Sequence, residues 1–117
     1  HVLRGSIIAY SSETKVKELG VAQELIDEFG VVSQEVALAM AKGAMKKFQA
    51  DWAVATTGVA GPGPSHGVTA GTVWIAILGP KTQETVALAL EGGRELVRRG
   101  AVESALGVLQ RILSSRI

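Results

Sequence analysis

The chain has 117 residues, with 12 Lys+Arg against 11 Asp+Glu and a formal net charge of +1. That length suits one domain with a real core, and the near-even charge lacks the basic excess of a protein built to hold nucleic acid. With no cysteine and only 4% aromatic residues, disulfide frameworks, thiol catalysis, cysteine zinc sites and base-stacking platforms are excluded as well.

A hydrophobic fraction of 47% with regular periods argues against disorder, and no apolar run approaches the roughly 18 residues of a membrane span. The expectation is a single small α/β domain over residues 1–117, soluble and cytoplasmic. It opens on His1 with no targeting segment.

Gly5 to Tyr10 is a short apolar run rich in β-branched residues and predicts a strand. Ser11 and Ser12 are N-cap candidates for a short helix over Glu13 to Leu19, closed by Gly20. A second short helix, about Ala22 to Phe29, ends at Gly30. Ser33 caps a longer one, in which Ala37, Met40, Ala41, Ala44 and Phe48 form a single apolar stripe of small residues suited to close approach to a sheet. Trp52 to Thr57 reads as a buried strand. The stretch from Gly58 to Gly71, with Pro62 and Pro64, is an irregular loop. Thr72 to Leu78 is the strongest strand, Gly79 to Gln83 a turn, and Glu84 to Leu90 its hairpin partner. After Gly92-Gly93, a long helix from Arg94 presents Val97, Ala101, Ala105, Val108, Leu109 and Ile112. Helical crossovers favour parallel strands and the short turn an antiparallel pair, so a mixed sheet covered by helices is expected.

Two segments invite chemistry. The loop Gly61-Pro62-Gly63-Pro64-Ser65-His66-Gly67 lacks the Gly-Lys-Ser/Thr of a P-loop and the spacing of a dinucleotide fingerprint. It still offers bare backbone N–H groups to a ligand on a path stiffened by proline. A loop this long in so small a domain favours binding over a plain connection. The second segment is the junction Tyr10-Ser11-Ser12-Glu13-Thr14-Lys15, a strand end leading into a helix start. Lys15 lies in the first helical turn, where the helix dipole would depress its pKa, and a lysine so shifted can serve as a general base with Tyr10 sharing its hydrogen-bond network. On the residues alone the favoured reading is a solvated Lys15 beside Glu13 and Glu18, with Tyr10 simply packed. Arg94 and Arg98 can hold a phosphate or simply face solvent. His66 is read as a solvated loop residue, and Trp52 and Trp74 as core or half-core.

Taken together, Gly5-Ser6-Ile7-Ile8-Ala9-Tyr10-Ser11 with Lys15, Leu19-Gly20-Val21, Gly30 to Ala37, Thr56-Thr57-Gly58-Val59-Ala60-Gly61-Pro62-Gly63 and Gly71 to Ala76 resemble the C-terminal domain of the competence/damage-inducible protein CinA. The likeness runs over the whole chain in order and spacing. It implies a three-layer α/β/α sandwich with a mixed, mostly parallel sheet containing one antiparallel strand. It also implies a nicotinamide mononucleotide (NMN) amidohydrolase that forms nicotinate mononucleotide and ammonia. Catalysis by a serine nucleophile, a lysine base and a tyrosine is implied, with no metal or cofactor. By position Lys15 matches the lysine and Tyr10 the tyrosine. Thr57, Gly58, Gly61 and Gly63 match the ligand-lining loop, and Arg94 the arginine before the last helix.

Two departures stand out. The family's E-S-C-T-G-G-like turn carries the serine, and nothing before Gly5 resembles it. The expectation is therefore a domain lacking its first strand and helix, inactive on its own. The residues after Gly63 also differ from the family pattern, so no role is carried onto Ser65 to Ala70. The expected partner is a small pyridine nucleotide, with neither nucleic acid nor membrane, and a homo-oligomer is left open. The rival reading is a non-catalytic nucleotide-binding or assembly module of the same fold.

Overall fold

The computed structural model describes residues 4–9, 11–59, 63 and 67–114. Its elements, in chain order, are α1 (Ser12–Leu19), α2 (Gln23–Phe29), α3 (Gln34–Phe48), β1 (Ala53–Gly58), β2 (Thr72–Gly79), β3 (Thr82–Ala89) and α4 (Arg94–Ser114). The expected helices and the three strands after residue 50 are all present, with boundaries displaced by one or two residues.

Strand β2 is apolar along its length because it is covered on both faces. Val73, Ile75 and Ile77 point to one side, where Val97, Ala101, Ala105 and Ile112 of α4 join them. Ala76 and Leu78 point to the other, against Val36, Ala37, Met40 and Ala41 of α3. Ile75 and Ile77 are completely buried, which stabilises the fold by about 2 kcal/mol for each side chain. On the α3 side the contact is small on small, Ala37 and Ala41 facing Ala53, Ala55 and Ala76, so helix and sheet approach closely. Trp52 and Trp74 are half-buried, one in each core.

The sheet corrects one expectation. Its order is β1-β2-β3, and both pairings are antiparallel, so among the described residues the sheet is not mostly parallel. The cause lies in the connections. A parallel pair needs a crossover helix, whereas β1 and β2 are joined by the irregular loop and β2 and β3 by a tight turn. That turn is also shorter than expected. Gly79 pairs with Thr82, leaving only Pro80 and Lys81 between the strands, with proline presetting the backbone for the first corner position.

The strand expected from Gly5 to Tyr10 is the second correction. Residues 5–9 join no ladder among the described residues. They nevertheless keep a strand's alternation, with Ile7 and Ala9 packed on the α3-side core and Ile8 74% exposed. The sequence pattern reports which side chains are covered, and a strand also needs a neighbouring backbone to bond. Tyr10 lies outside the described residues. Among those that are described, no helix is long and apolar enough to cross a membrane.

Candidate active site

Helix α1 sets the position of Lys15. Ser11 caps it with a side chain that accepts from the Thr14 N–H at 3.1 Å, and the Lys15 N–H bonds the Ser11 carbonyl at 3.2 Å. This start aims the Lys15 side chain inward, and the residue is only 5% exposed. Its ammonium Nζ donates to the Ala9 carbonyl oxygen at 2.8 Å.

Glu13 and Glu18, the carboxylates beside it in sequence, are engaged elsewhere, by Lys17 and by Lys47, each at 3.0 Å. Among the described residues Lys15 therefore enters no ion pair. Burial without a countercharge disfavours the ammonium, and it lowers the pKa below the ordinary 10.5. The solvated reading of Lys15 is overturned. The general-base reading expected a lowered pKa from the helix dipole, and the cause found here is desolvation by burial. A buried amine shifted this way is readier to hold a lone pair, the requirement for a general base.

Thr57 and Gly58 end β1. Thr57 is buried, and its hydroxyl donates to the Val31 carbonyl at 2.9 Å, tying the strand end to the turn before α3. That turn is fixed again by Ser33, whose hydroxyl donates to the Gly30 carbonyl at 2.8 Å while accepting from the Val36 N–H at 3.2 Å. Ser33 was legible as a cap. Its bond to Gly30 and the role of the Val31 carbonyl were not, because a backbone acceptor leaves no mark on the residue type that supplies it.

Beyond Gly58 the loop is pinched at its base. The Val59 N–H bonds the Thr72 carbonyl at 2.9 Å, and the Gly71 N–H bonds the Val59 carbonyl at 2.7 Å. The Leu90 N–H then bonds the Gly71 carbonyl at 2.8 Å. Gly71 has φ 93°, and a Cβ there would run into the Leu90 carbonyl, so the place fits only glycine. Gly63 is exposed, while Gly61 and His66 lie outside the described residues. Arg94 is exposed at the first turn of α4, close in sequence to Leu90. The geometry thus gathers Thr57, Gly58, the loop base and the approach to Arg94 at one end of the sheet. Lys15 is held by α1, and among the described residues no hydrogen bond joins its amine to that loop.

Comparison with known proteins gives one consistent result. The family model of the CinA C-terminal domain matches residues 1–113. A CinA-like protein of Fervidobacterium nodosum is 40% identical over 111 residues, which cover 94% of this chain and 27% of that protein. A CinA-like protein of Anaeromyxobacter dehalogenans is 43% identical over 113 residues, covering 96% and 28%. The chain therefore spans little more than a quarter of these curated relatives. Among solved structures, a competence-damaged protein (CinA) superfamily protein of Escherichia coli superimposes with a TM-score of 0.85 at 35% identity, over 88% of this chain and 60% of that one.

Proposed function

The chain belongs to the CinA C-terminal domain family, and on that footing we propose that it is the lysine-bearing part of an NMN amidohydrolase. The substrate carboxamide becomes the carboxylate of nicotinate mononucleotide, and ammonia leaves. The observation that carries this reading is Lys15, a buried amine with no carboxylate partner among the described residues and a lowered pKa.

In this mechanism the neutral Lys15 amine takes the proton of a serine hydroxyl supplied by polypeptide outside these residues. The serine oxygen attacks the carboxamide carbon, and Lys15 returns the proton to the departing nitrogen. The resulting ester is hydrolysed by water, with the same amine taking and returning the proton. The Ala9 carbonyl fixes the amine's position through the cycle. Tyr10 completes the proton network, and Thr57, Gly58, Gly61 and Gly63 line the nucleotide. Arg94 holds its phosphate. The helices on the two faces of the sheet are the outer layers of a three-layer α/β/α domain, and the proposed site opens at the sheet end formed by Gly58 and Gly71.

The test is ammonia release from NMN by a longer protein carrying this domain together with the serine-bearing turn. Turnover that is abolished by Lys15→Ala supports the assignment, and unchanged turnover refutes it. A protein that binds NMN without releasing ammonia supports the rival, a nucleotide-binding or assembly module.

A further inference from the structure

The short turn from Gly30 to Ser33, between α2 and α3, is tied down at both ends. The Gly30 N–H bonds the Ile26 carbonyl at 2.8 Å, and the Gly30 carbonyl accepts from the Ser33 hydroxyl at 2.8 Å. Val31 packs its side chain on the α3-side core, which together with the bond to Gly30 fixes the direction of its carbonyl. That carbonyl meets the buried Thr57 hydroxyl at 2.9 Å. A threonine hydroxyl has one proton and two lone pairs, and a carbonyl has no proton to give. The proton in this bond is therefore Thr57's, and any further group that bonds the Thr57 oxygen brings the hydrogen itself.

We propose that Ser33 is a positioning residue for selectivity: it holds the turn whose Val31 carbonyl locks the Thr57 hydroxyl as an acceptor, so that the site takes a carboxamide and refuses the matching carboxylate. This role rests on the amidohydrolase reading and on Thr57 lining the nucleotide. The two nucleotides of that reaction differ only at this group. The substrate amide carries two N–H donors, and the product carboxylate carries none. An oxygen that presents only lone pairs accepts from the amide and repels the carboxylate, and a buried polar group denied its counterpart discriminates between ligands. A hydroxyl free to rotate would donate to the carboxylate and lose the distinction. Ser33 acts through the turn, by keeping the Val31 carbonyl where it claims the Thr57 proton.

The test uses a longer protein carrying this domain with the serine-bearing turn, and it separates the two bonds of Ser33. Ser33→Asp keeps an acceptor for the Val36 N–H, and aspartate caps a helix as well as serine does, but its carboxylate cannot donate to Gly30. Ser33→Thr keeps both bonds. The readout is the inhibition constant of nicotinate mononucleotide divided by the KM for NMN. A merely structural loss lowers the amount of active protein and leaves that ratio unchanged. The expected result is a ratio about tenfold smaller in Ser33→Asp, the size of one hydrogen bond, and close to wild type in Ser33→Thr. Thr57→Val lowers the ratio as well, and adding Ser33→Asp to it changes nothing further. The pH profile of kcat, set by Lys15, stays where it is. Should an aspartate at this buried position prevent folding, Ser33→Ala, which loses both bonds, reads the same ratio. An unchanged ratio, or a second drop when Ser33→Asp is added to Thr57→Val, overturns the role and leaves the amidohydrolase reading standing. A wild type that neither binds nor hydrolyses NMN removes both.

Discussion

The Lys15 ammonium stands 2.8 Å from the Ala9 carbonyl oxygen, folding the first turn of α1 back onto the segment that precedes it. A carbonyl can accept from an amine in either protonation state, so the contact fixes the position of the nitrogen without supplying a countercharge. Burial then acts on the charge unopposed.

The first consequence is a pH dependence of stability with a defined sign. The folded-state pKa of Lys15 lies below the ordinary 10.5. Below the folded midpoint both states hold the proton, and the folded state bears a desolvated charge. Between that midpoint and 10.5 the unfolded chain binds more protons, so this group makes stability rise with pH across the window. Urea unfolding of wild type and Lys15→Met along a pH series measures it. The wild-type stability should gain on the variant as pH climbs toward 10.5, and a flat or falling difference contradicts the burial account.

Thr57 gives a second prediction. Its hydroxyl satisfies the Val31 carbonyl at 2.9 Å, and Thr57→Val keeps the shape while removing the donor. The carbonyl is left without its partner, at a cost of about 1–3 kcal/mol in urea unfolding. Thr57→Ser retains the hydroxyl and should recover most of the loss.

A third prediction reverses a familiar rule. Glycine inside a helix is usually improved by alanine, by about 1 kcal/mol. Gly43 lies within α3, but a Cβ there would run into the carbonyl of Leu19 at the end of α1. Gly43→Ala should therefore destabilise the protein by roughly 1–3 kcal/mol as the two helices are forced apart. A rise in melting temperature would show that α1 does not sit this close.

The turn before α3 supplies a fourth. Ser33 both caps α3 and bonds the Gly30 carbonyl, so Ser33→Ala removes two hydrogen bonds with one oxygen. Thermal unfolding should show a loss of about 1–2 kcal/mol, larger than for Ser11→Ala, whose capping bond is exposed.

These sites also mark how far the sequence can be read. The helices were legible because their signals are local: Ser33 before the apolar stripe, Gly20 after Leu19, and the Gly92-Gly93 break before Arg94. The strand character of β2 was legible for the same reason. Strand direction was not, because it depends on how the chain returns from Gly58 to Thr72 and no residue type in that loop encodes the path. Residues 5–9 show the limit from the other side. Their alternation is real, with Ile7 covered and Ile8 exposed, yet pairing depends on a neighbour that the segment cannot specify. At the candidate site, the pattern marked Lys15 as a residue of interest but left its burial undecided. The bond to the Ala9 carbonyl holds the amine inside, and the ion pairs that engage Glu13 and Glu18, one of them reaching from α1 to Lys47 on α3, leave it without a countercharge from its sequence neighbours.

The most direct measurement is a titration of Lys15 itself, following its side-chain Cε resonance by carbon-13 NMR in the folded protein and assigning it by its loss in Lys15→Met. A buried amine available to act as a base predicts a midpoint below 10.5. A midpoint at or above that value would mean that the charge is solvated or paired, and the account of Lys15 as the base would be contradicted.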